Sequence, residues 1–430
     1  MSLDTATGAI RAMVGGPGFV AGQSEVNLAL RRRQTGSSIK FFILAAALEA
    51  GVEATDLIDG TLPCTFPNPD LPSEPFVITK GVSKPLTTLE EQTWLSINCA
   101  YARLAQIVGL HRLVQEVYKM ASSSYLTPEI YKIQPYASFS TGANELSPLD
   151  MASGAQTIAN GGLHMEPYFI EKIEGPDGVL FTHESVGKQV ISKEVADKEV
   201  AILKNTLTKG TARRTPLAKD RPAAGKTGTQ AENTNAWFVG FTKQLTTAVW
   251  VGDPKAYTPM VNIPEFRAVG VPNVQGATFP ARIWKSYMDA AHADLPIVDW
   301  DPAVAPVRNQ IRLYLPGVDC IAELVSGTLP RALTGPVVTI VPAVSATTTV
   351  PITTVPSATP TTTTVPVPVP IVTTPVPRRP VVSIVSPGTT IAPTVLDPLV
   401  AVVGVDPEKY LVYDCIKGVP RSVKVIANAG

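Results

Sequence analysis

The sequence predicts an α+β fold in which helices pack on an antiparallel β-sheet. Three observations lead to this prediction. A strand-like run lies near the start of the chain, several apolar helical segments follow it, and three β-rich segments separated by polar turns come next. This order of one strand, several helices and then consecutive strands is typical of an α+β domain.

Each element has its own local signal. The first predicted strand, residues 8–15, carries Ile10, Met13 and Val14 and ends in two glycines. Four helical segments follow, each with a glycine near its end, and they are 37–50, 88–108, 148–160 and 196–209. Three short β-rich segments are expected to be consecutive antiparallel strands, and they are 223–229, 235–242 and 245–252.

The composition changes after the predicted domain, which spans residues 1–306. Residues 307–334 form a short extension, and Pro, Thr and Val dominate residues 335–398. That segment cannot build a packed core, so we expect a disordered, extended linker of polyproline type. Residues 399–430 form a short tail with no assigned role, which at this length is not expected to fold alone.

Charge and hydropathy exclude several classes of protein. The 430 residues include 36 Lys or Arg and 36 Asp or Glu, and there is no extended basic patch, so no nucleic-acid partner is expected. No run of about 18 uncharged apolar residues and no signal peptide is visible. Because the opening residues read like the interior of a domain, we expect a fragment or a reading frame that begins late.

The four cysteines, Cys64, Cys99, Cys320 and Cys415, lack the C-x-x-C spacing of zinc or thioredoxin-like sites. They allow three complete pairings. An extracytoplasmic location favours disulfides, and Cys64 with Cys99 is then the preferred pair. Four unpaired, buried thiols are an equally weighted alternative.

Three short motifs carry the predicted chemistry. They are Ser37-x-x-Lys40, Ser96-x-Asn98 and Lys226-Thr227-Gly228, in the order found in penicillin-recognising serine enzymes. Each motif is weak alone. A second S-x-x-K, from Ser185 to Lys188, lies in a polar stretch that opens no apolar helix, and we expect it at the surface. The three motifs together, each on the expected kind of element, indicate an active-site serine.

Ser37 opens a hydrophobic helix, and three positions along a helix place Lys40 on the same face. A serine hydroxyl is a poor nucleophile until a base removes its proton. A lysine can be that base when burial and a second cation, here Lys226, lower its pKa. Taken alone, the pair also fits a helix N-cap followed by a solvated lysine.

Ser96 and Asn98 lie in the apolar stretch WLSINCAYARLA. Buried polar groups without partners cost about 1–3 kcal/mol each, so both side chains need a role. We expect Ser96 to relay a proton between Lys40 and a leaving amine, and Asn98 to bind a substrate amide. An internal loop satisfied by the local backbone is the alternative.

Lys226, Thr227, Gly228 and Thr229 lie on a predicted strand. Gly228 allows a ligand backbone to approach closely, and Lys226 with the threonine hydroxyls can bind a carboxylate. The N–H groups of Ser37 and Thr229 are the candidate oxyanion hole. An exposed edge strand with a bulge is the alternative.

A Ser-His-Asp triad is not expected. The sequence has no G-x-S-x-G, and its four histidines lie in no nucleophile-elbow context, so we expect surface or ordinary polar roles for His111, His164, His183 and His292. The carboxylates show no spacing that indicates a glycosidase pair.

Residues 3–305 resemble the transpeptidase domain of class A, bifunctional penicillin-binding proteins of the actinobacterial type. Beyond the three motifs, the resembling blocks are LDTATGAIRAMVGG, RRRQTGSSIKFF, NELSPLDMASGAQTIANGG, KGTARR, AGKTGTQAENTNAWFVGFTKQLTTAVWVG and GATFPARIWKSYM. Thr35 and Ile39 depart from the Pro and Phe common in the family. The resemblance implies the penicillin-binding protein/β-lactamase-like fold, a five-stranded antiparallel sheet flanked by helices.

The resemblance also implies a reaction. Ser37 would attack the D-Ala–D-Ala bond of a peptidoglycan stem peptide, D-Ala would leave, and the amine of a neighbouring stem peptide would complete the cross-link. The implied catalytic residues are Ser37, Lys40, Ser96 and Lys226, and the implied substrate-binding residues are Asn98, Thr227, Gly228 and Thr229. No cofactor or metal is implied.

The implied partners are stem peptides and β-lactams, on the extracytoplasmic side of the membrane. We expect this sequence to lack the family's glycosyltransferase domain and membrane anchor. The alternatives left open are a D,D-carboxypeptidase, a β-lactamase, and a non-catalytic β-lactam sensor or cell-wall binding module. A β-lactamase would usually have Ser-Asp-Asn where this chain has Ser96-Ile97-Asn98.

Overall fold

The structure, a computed structural model, describes residues 1–319 except residues 23, 70, 307, 316 and 317. The expected linker (335–398) and tail (399–430) lie outside the described residues, as do Cys320, Cys415 and most of the expected extension.

Helices and short strands alternate along the described part of the chain. Its α-helices are α1 (Lys40–Glu49), α2 (Leu89–Trp94), α3 (Asn98–Val108), α4 (Leu110–Met120), α5 (Pro148–Ala159), α6 (Lys193–Thr208), α7 (Pro264–Ala268) and α8 (Phe279–Ala291). Its strands are β1 (Ser2–Asp4), β2 (Ile10–Ala12), β3 (Arg33–Gln34), β4 (Leu57–Gly60), β5 (Cys64–Phe66), β6 (Phe76–Ile78), β7 (Lys84–Thr88), β8 (Glu145–Leu146), β9 (Leu163–Met165), β10 (Lys172–Gly175), β11 (Gly178–Thr182), β12 (Gly187–Gln189), β13 (Ala224–Thr229), β14 (Asn235–Phe241) and β15 (Leu245–Gly252). Single 3₁₀ turns cover Leu28–Leu30, Gly36–Ile39, Ala137–Thr141, Ala218–Asp220 and Ala231–Asn233.

Five strands form one antiparallel sheet in the order β13-β14-β15-β1-β2. The expected five-stranded antiparallel sheet is therefore confirmed, and the three expected strands from residue 223 to 252 are correct to within one residue. Strand β13 lies at an edge of this sheet, because β14 is its neighbour on one side alone. Its other side faces the segment that carries Ser37.

The start of the chain differs from the expectation of one strand over residues 8–15. The structure has two short strands, β1 and β2, joined by a tight turn. Gly8 adopts a φ of +78°, which favours glycine, and its N–H donates to the Asp4 carbonyl at 3.0 Å. This reversal places β1 beside β15 in the sheet and β2 beside β1.

Helices cover both faces of the sheet, because alternate side chains of each strand point to opposite sides. On one face, Trp237 and Val239 join the main core with the buried helices α1, α3 and α5. On the other face, Phe238 packs edge-on against Trp284 of α8, with ring centroids 4.9 Å apart. None of the helices described has the length and apolar character that crossing a membrane requires.

The helix boundaries predicted from the sequence are partly correct. Helix α5 confirms the segment 148–160, and Ser147 with Asp150 forms a capping box at its start. The expected helix over 88–108 is wrong as one piece, because Ser96 has a φ of +62° and separates α2 from α3. The expected helix over 37–50 begins as a 3₁₀ turn, and α4 and α8 were not anticipated.

Cys64 and Cys99 form a disulfide with their Cα atoms 5.9 Å apart, so the preferred pairing is confirmed. The bond joins strand β5 to the first turn of α3, next to Asn98. A covalent link at this point restrains the start of α3, where one of the three motifs lies.

Described residues between 308 and 319 contact the same domain. Ile311 and Leu313 are buried in the main core, and the Arg308 guanidinium forms an ion pair with the buried Asp56. Arg103 contacts Asp319 at 2.7 Å. These contacts show that the described part of the expected extension packs against the domain. The boundary at residue 306 remains a prediction.

Candidate active site

Ser37 lies in the 3₁₀ turn that precedes α1. The turn depends on Gly36, which has a φ of +54°, and a Cβ atom built there would lie 2.7 Å from the carbonyl carbon of Thr229. The first bond of the turn runs from the Ser38 N–H to the Thr35 carbonyl. The Ser37 N–H precedes that bond and belongs to the unsatisfied donors at the start of a helix.

Lys40 is fully buried one turn after Ser37. Its Nζ donates to the Ser96 carbonyl at 2.9 Å and to Asn98 Oδ1 at 2.8 Å. Ser37 Oγ donates to the same Asn98 oxygen at 3.4 Å. The two motifs therefore meet at one oxygen atom, and the alternative of a solvated first-turn lysine is wrong.

Lys226, on the edge strand β13, reaches the same place from the third motif. Its Nζ donates to Ser96 Oγ at 2.7 Å and to the Thr227 carbonyl at 3.2 Å, and its side chain is 1% exposed. Ser96 thus presents its carbonyl to Lys40 and its hydroxyl to Lys226. We expected the hydroxyl beside Lys40, and the left-handed backbone at Ser96 is the reason for the difference.

Burial determines the protonation of both lysines. Loss of hydration lowers the pKa of Lys226 to about 7. Burial, and secondly the Lys226 cation, lower the pKa of Lys40 well below its ordinary value. Both causes favour the neutral amine of Lys40, the form that can accept a proton.

Tyr101 completes the surroundings of Lys40 and was not anticipated from the sequence. Its ring centroid lies 5.2 Å from Lys40 Nζ, and its hydroxyl is 2.7 Å from Thr93 Oγ1. Tyr101 follows Asn98 by three positions on α3, a spacing that puts both side chains on one helix face. That spacing is the signal that would have identified it.

The open edge of β13 turns toward Ser37. The Gln230 N–H donates to the Asn235 carbonyl of β14. Since peptide groups alternate in direction along a strand, the N–H groups of Thr227 and Thr229 point away from β14. The Thr229 peptide lies against Gly36, so its N–H and that of Ser37 belong to the same side of the site.

Gly228 has an internal packing role. A Cβ atom built on it would lie 2.4 Å from the Thr35 carbonyl oxygen and 2.8 Å from Ser38 Oγ. Strand β13 and the serine-bearing turn therefore touch backbone to backbone. The turn that carries Ser37 fills the space that a Gly228 side chain would occupy, and the close approach of a ligand backbone to Gly228 stays a prediction.

Thr211 and Gly276 are further residues that sequence reasoning did not assign to the site. Thr211 Oγ1 is 2.8 Å from Thr227 Oγ1, and the Gly276 N–H donates to Thr229 Oγ1 at 3.1 Å. Both belong to blocks that carry the family resemblance, KGTARR and GATFPARIWKSYM. Thr211 lies three residues after α6 and Gly276 three residues before α8, and this position near a helix end was the available signal.

Other candidate groups lie apart from Ser37. Ser185 and Lys188 are exposed, which confirms the surface assignment of the second S-x-x-K. His164 and His292 are buried and bond to Thr157 and Thr242 through ring nitrogens, and neither bonds to Ser37. Within the described ranges, no cluster of three or more His, Cys, Asp or Glu side chains is arranged to hold a metal ion.

The comparisons with known proteins agree with the geometry of the site. The profile of the penicillin binding protein transpeptidase domain matches residues 1–258. Penicillin-binding protein 1A of Aquifex aeolicus is 34% identical over 257 residues, and that of Mycobacterium tuberculosis is 30% identical over 312 residues. These alignments cover 59% and 68% of this chain but 34% and 36% of the relatives, so the chain spans about a third of their length.

Solved structures agree. The penicillin-binding protein PonA1 from M. tuberculosis has a TM-score of 0.62 and 27% identity, covering 76% of this chain and 84% of that one. The structure of PonA1 in complex with penicillin V has a TM-score of 0.61 and 29% identity, covering 72% and 82%. The matched profile includes all three motifs and more than half of the chain. The resemblance noted from the sequence is thereby confirmed, and the chain belongs to the family of penicillin-binding protein transpeptidase domains.

Proposed function

We propose that this chain is a peptidoglycan D,D-transpeptidase that works through an acyl-Ser37 intermediate and is itself acylated by penicillin. The observation that carries the proposal is the meeting of Ser37, Lys40 and Lys226 around the Ser96–Asn98 segment. The binding of penicillin V by M. tuberculosis PonA1, a similar protein, supports the same conclusion.

In the first step, Ser37 Oγ attacks the carbonyl carbon of the penultimate D-Ala while its proton passes to the neutral amine of Lys40. The low pKa of Lys40 supports this role, because a base must be unprotonated before it accepts a proton. The N–H groups of Ser37 and Thr229 would stabilise the negative charge on the carbonyl oxygen. Such donors are typically worth about 3–4 kcal/mol each in the transition state.

In the second step, the C–N bond breaks and the leaving D-Ala nitrogen needs a proton. Ser96 Oγ can deliver it and be reprotonated by Lys226, to which it is hydrogen-bonded. A lysine with a pKa of about 7 suits both halves of this exchange at neutral pH. The hydroxyls of Thr227 and Thr229 would hold the carboxylate of the departing D-Ala.

The acyl-enzyme is then resolved by an acceptor amine from a second stem peptide. The new C–N bond forms, the amine proton returns through Ser96 to Lys226, and Ser37 Oγ regains its proton from Lys40. Attack by water in place of the amine would be the D,D-carboxypeptidase reaction. Asn98, which contacts both Ser37 and Lys40, would position the substrate amide through its remaining amide hydrogens.

Intact-mass spectrometry after incubation with penicillin tests the proposal. We expect one drug adduct on the native chain and on Ser185→Ala, the matched control from the exposed S-x-x-K, and none on Ser37→Ala. Drug hydrolysis without an adduct would indicate a β-lactamase. If the chain forms no adduct and hydrolyses no drug, that result would contradict the acyl-serine site and favour a binding module.

A second assay separates the two possible fates of the acyl-enzyme. The native chain is given a peptide ending in D-Ala–D-Ala, with and without an amine acceptor, and the products are identified by mass. A transpeptidase forms the amide-linked product, whereas a carboxypeptidase forms the shortened acid alone. An enzyme that is acylated by penicillin but releases no D-Ala would be a sensor.

We also propose an extracytoplasmic location for this domain. Structural disulfides persist in oxidising compartments and are rare in the cytosol, so the Cys64–Cys99 bond supports this location. Stem peptides of the cell wall, the proposed substrates, are assembled into the wall on that side of the membrane.

A further inference from the structure

A cationic cleft of about 750 Å³ lies between the turn that follows α6 and the helix α8. Thr211, Arg213 and Arg214 line it from the turn that follows α6, and Arg282 and Lys285 line it from α8. These two elements therefore direct four cationic side chains into one space.

The positive charge of the cleft is largely uncompensated. Asp289 is the one carboxylate among the described lining residues, and it forms an ion pair with Lys285 at 2.7 Å. Arg213, Arg214 and Arg282 are exposed, and no carboxylate in the described part of the chain lies within 4.0 Å of them. Three guanidinium groups around a concave space are suited to a ligand with carboxylate groups.

The cleft adjoins the end of the site where a substrate carboxylate would bind. Thr211, in its lining, is hydrogen-bonded to Thr227 of the third motif at 2.8 Å. Thr278 lines it as well, and Gly276, two residues earlier, donates to Thr229 Oγ1. The cleft thus continues outward from the edge of β13 that carries the two threonines.

This position has a chemical consequence, which rests on the proposed function. The leaving D-Ala, held by Thr227 and Thr229, departs on this side of the acyl carbon. By microscopic reversibility, the acceptor amine attacks from the side on which the leaving amine departed. The rest of the acceptor strand must then extend into the neighbouring space.

We propose that the cationic cleft is the acceptor site and that Arg213 and Arg282 bind carboxylate groups of the acceptor stem peptide. The planar guanidinium of arginine forms paired hydrogen bonds with carboxylates. The cleft therefore selects acceptors that carry free carboxylates over acceptors in which these groups are amidated. Penicillin, which needs no acceptor to acylate Ser37, does not use it.

The test uses the full chain and two acceptor peptides that share one amine. One peptide carries two free carboxylates, and in the other both are amidated. The variant is the double substitution Arg213→Gln and Arg282→Gln, and the control is Arg267→Gln, an equally exposed arginine on α7 outside the lining. The KM for each acceptor and the second-order rate of penicillin acylation are measured for all three proteins.

We expect the native chain to have a KM about fivefold or more lower for the carboxylate peptide than for the amidated one, as two partly exposed ion pairs allow. In the double variant this ratio should fall to about one, and in the control it should persist. Acylation by penicillin should change less than twofold in all three. This combination identifies a loss in acceptor binding and not in the folding of the site.

Several results would overturn the proposal. A KM ratio that survives in the double variant, or a parallel fall in penicillin acylation, would show that the arginines do not serve the acceptor. Binding of anionic lipid vesicles that is lost in the double variant, with no peptide preference, would assign the cleft to a membrane surface. If the native chain is not acylated at all, the proposed function fails, and calorimetric titration of both peptides still decides whether the cleft prefers carboxylates.

Discussion

At the scale of single residues, the site consists of two buried lysines with Ser96 between them. Lys40 bonds to the carbonyl of Ser96, and Lys226 bonds to its hydroxyl. Ammonium groups placed this close in a buried site disfavour each other, and burial alone already disfavours each charge. The arrangement therefore lowers the pKa of Lys40 and favours its neutral amine beside Ser37.

Replacing Lys40 with methionine should slow acylation. Lys40→Met has a similar length but cannot take the Ser37 proton, so we expect the second-order rate of penicillin acylation to fall by about 10²- to 10⁴-fold. Stopped-flow or quench-flow mass spectrometry measures this rate. Lys188→Met, from the exposed S-x-x-K, is the control and should react at the native rate; a similar rate in both variants would rule out Lys40 as the base.

Lys226 should make stability depend on pH. Its pKa is about 7 in the folded chain and 10.5 in an unperturbed lysine, so between these values the unfolded chain binds more protons. Stability therefore rises with pH in this window, by up to about 1.4 kcal/mol per unit. Below pH 7 the cost of burying Lys226 is complete, and above 10.5 it vanishes.

The variant Lys226→Met lacks this pH-dependent contribution of the buried lysine to stability. Relative to the variant, the native chain should gain about 2 kcal/mol in unfolding free energy between pH 7.5 and pH 9. Urea denaturation of both proteins at the two pH values measures this difference in unfolding free energy. A difference in unfolding free energy that does not change with pH would mean that Lys226 keeps its ordinary pKa.

At the scale of elements, glycines allow three backbone segments to touch around Ser37. A Cβ atom on Gly142 would lie 2.1 Å from the Gly36 carbonyl oxygen, and one on Gly36 would lie 2.7 Å from the Thr229 peptide. The Trp237 indole N–H donates to the Gln34 carbonyl at 2.9 Å and ties β14 to the same segment. These contacts align the turn with the edge of β13.

Gly36→Ala should separate the turn from β13. Both Gly36 and Gly51 have positive φ angles, but a Cβ atom meets backbone at Gly36 and nothing within 4 Å at Gly51. We expect Gly51→Ala to cost about 1–2 kcal/mol in unfolding free energy, and Gly36→Ala about 1–3 kcal/mol more. Only Gly36→Ala should slow acylation by penicillin, and equal effects of the two substitutions would contradict the contact argument.

At the scale of the whole molecule, described residues after residue 306 pack on the domain. Ile311, Leu313 and Leu315 are each less than 10% exposed and join the main core. Arg308 and Asp319 form ion pairs with Asp56 and Arg103. We therefore propose that the domain continues beyond residue 306 and includes these residues.

Two truncated chains test this assignment. A chain that ends after residue 306 should have an unfolding free energy at least about 2 kcal/mol lower than one that ends after residue 319, because three buried aliphatic side chains are lost. Urea denaturation compares the two chains. Equal stability would restore the boundary near residue 306.

The sequence alone was sufficient for features that depend on local pattern. The strands β14 and β15, the helix α5 and the three motifs follow from hydrophobic period, capping residues and residue order. The α+β class followed from the order of these elements, whereas the family and its five-stranded sheet were implied by the resemblance of longer sequence blocks. These features need no knowledge of which distant segments meet.

Only the tertiary structure decided which side chains of the three motifs contact each other. The left-handed backbone at Ser96 breaks the expected helix over 88–108, and it directs the carbonyl to Lys40 and the hydroxyl to Lys226. Thr211 joins the site by folding back onto Thr227. Such contacts join segments that are far apart in the chain, so no local pattern encodes them. Period, caps and motif order thus indicated the α+β class and the reacting groups, and the resembling blocks implied the family's fold. Packing between distant segments decided which lysine contacts which oxygen and where the arginines gather.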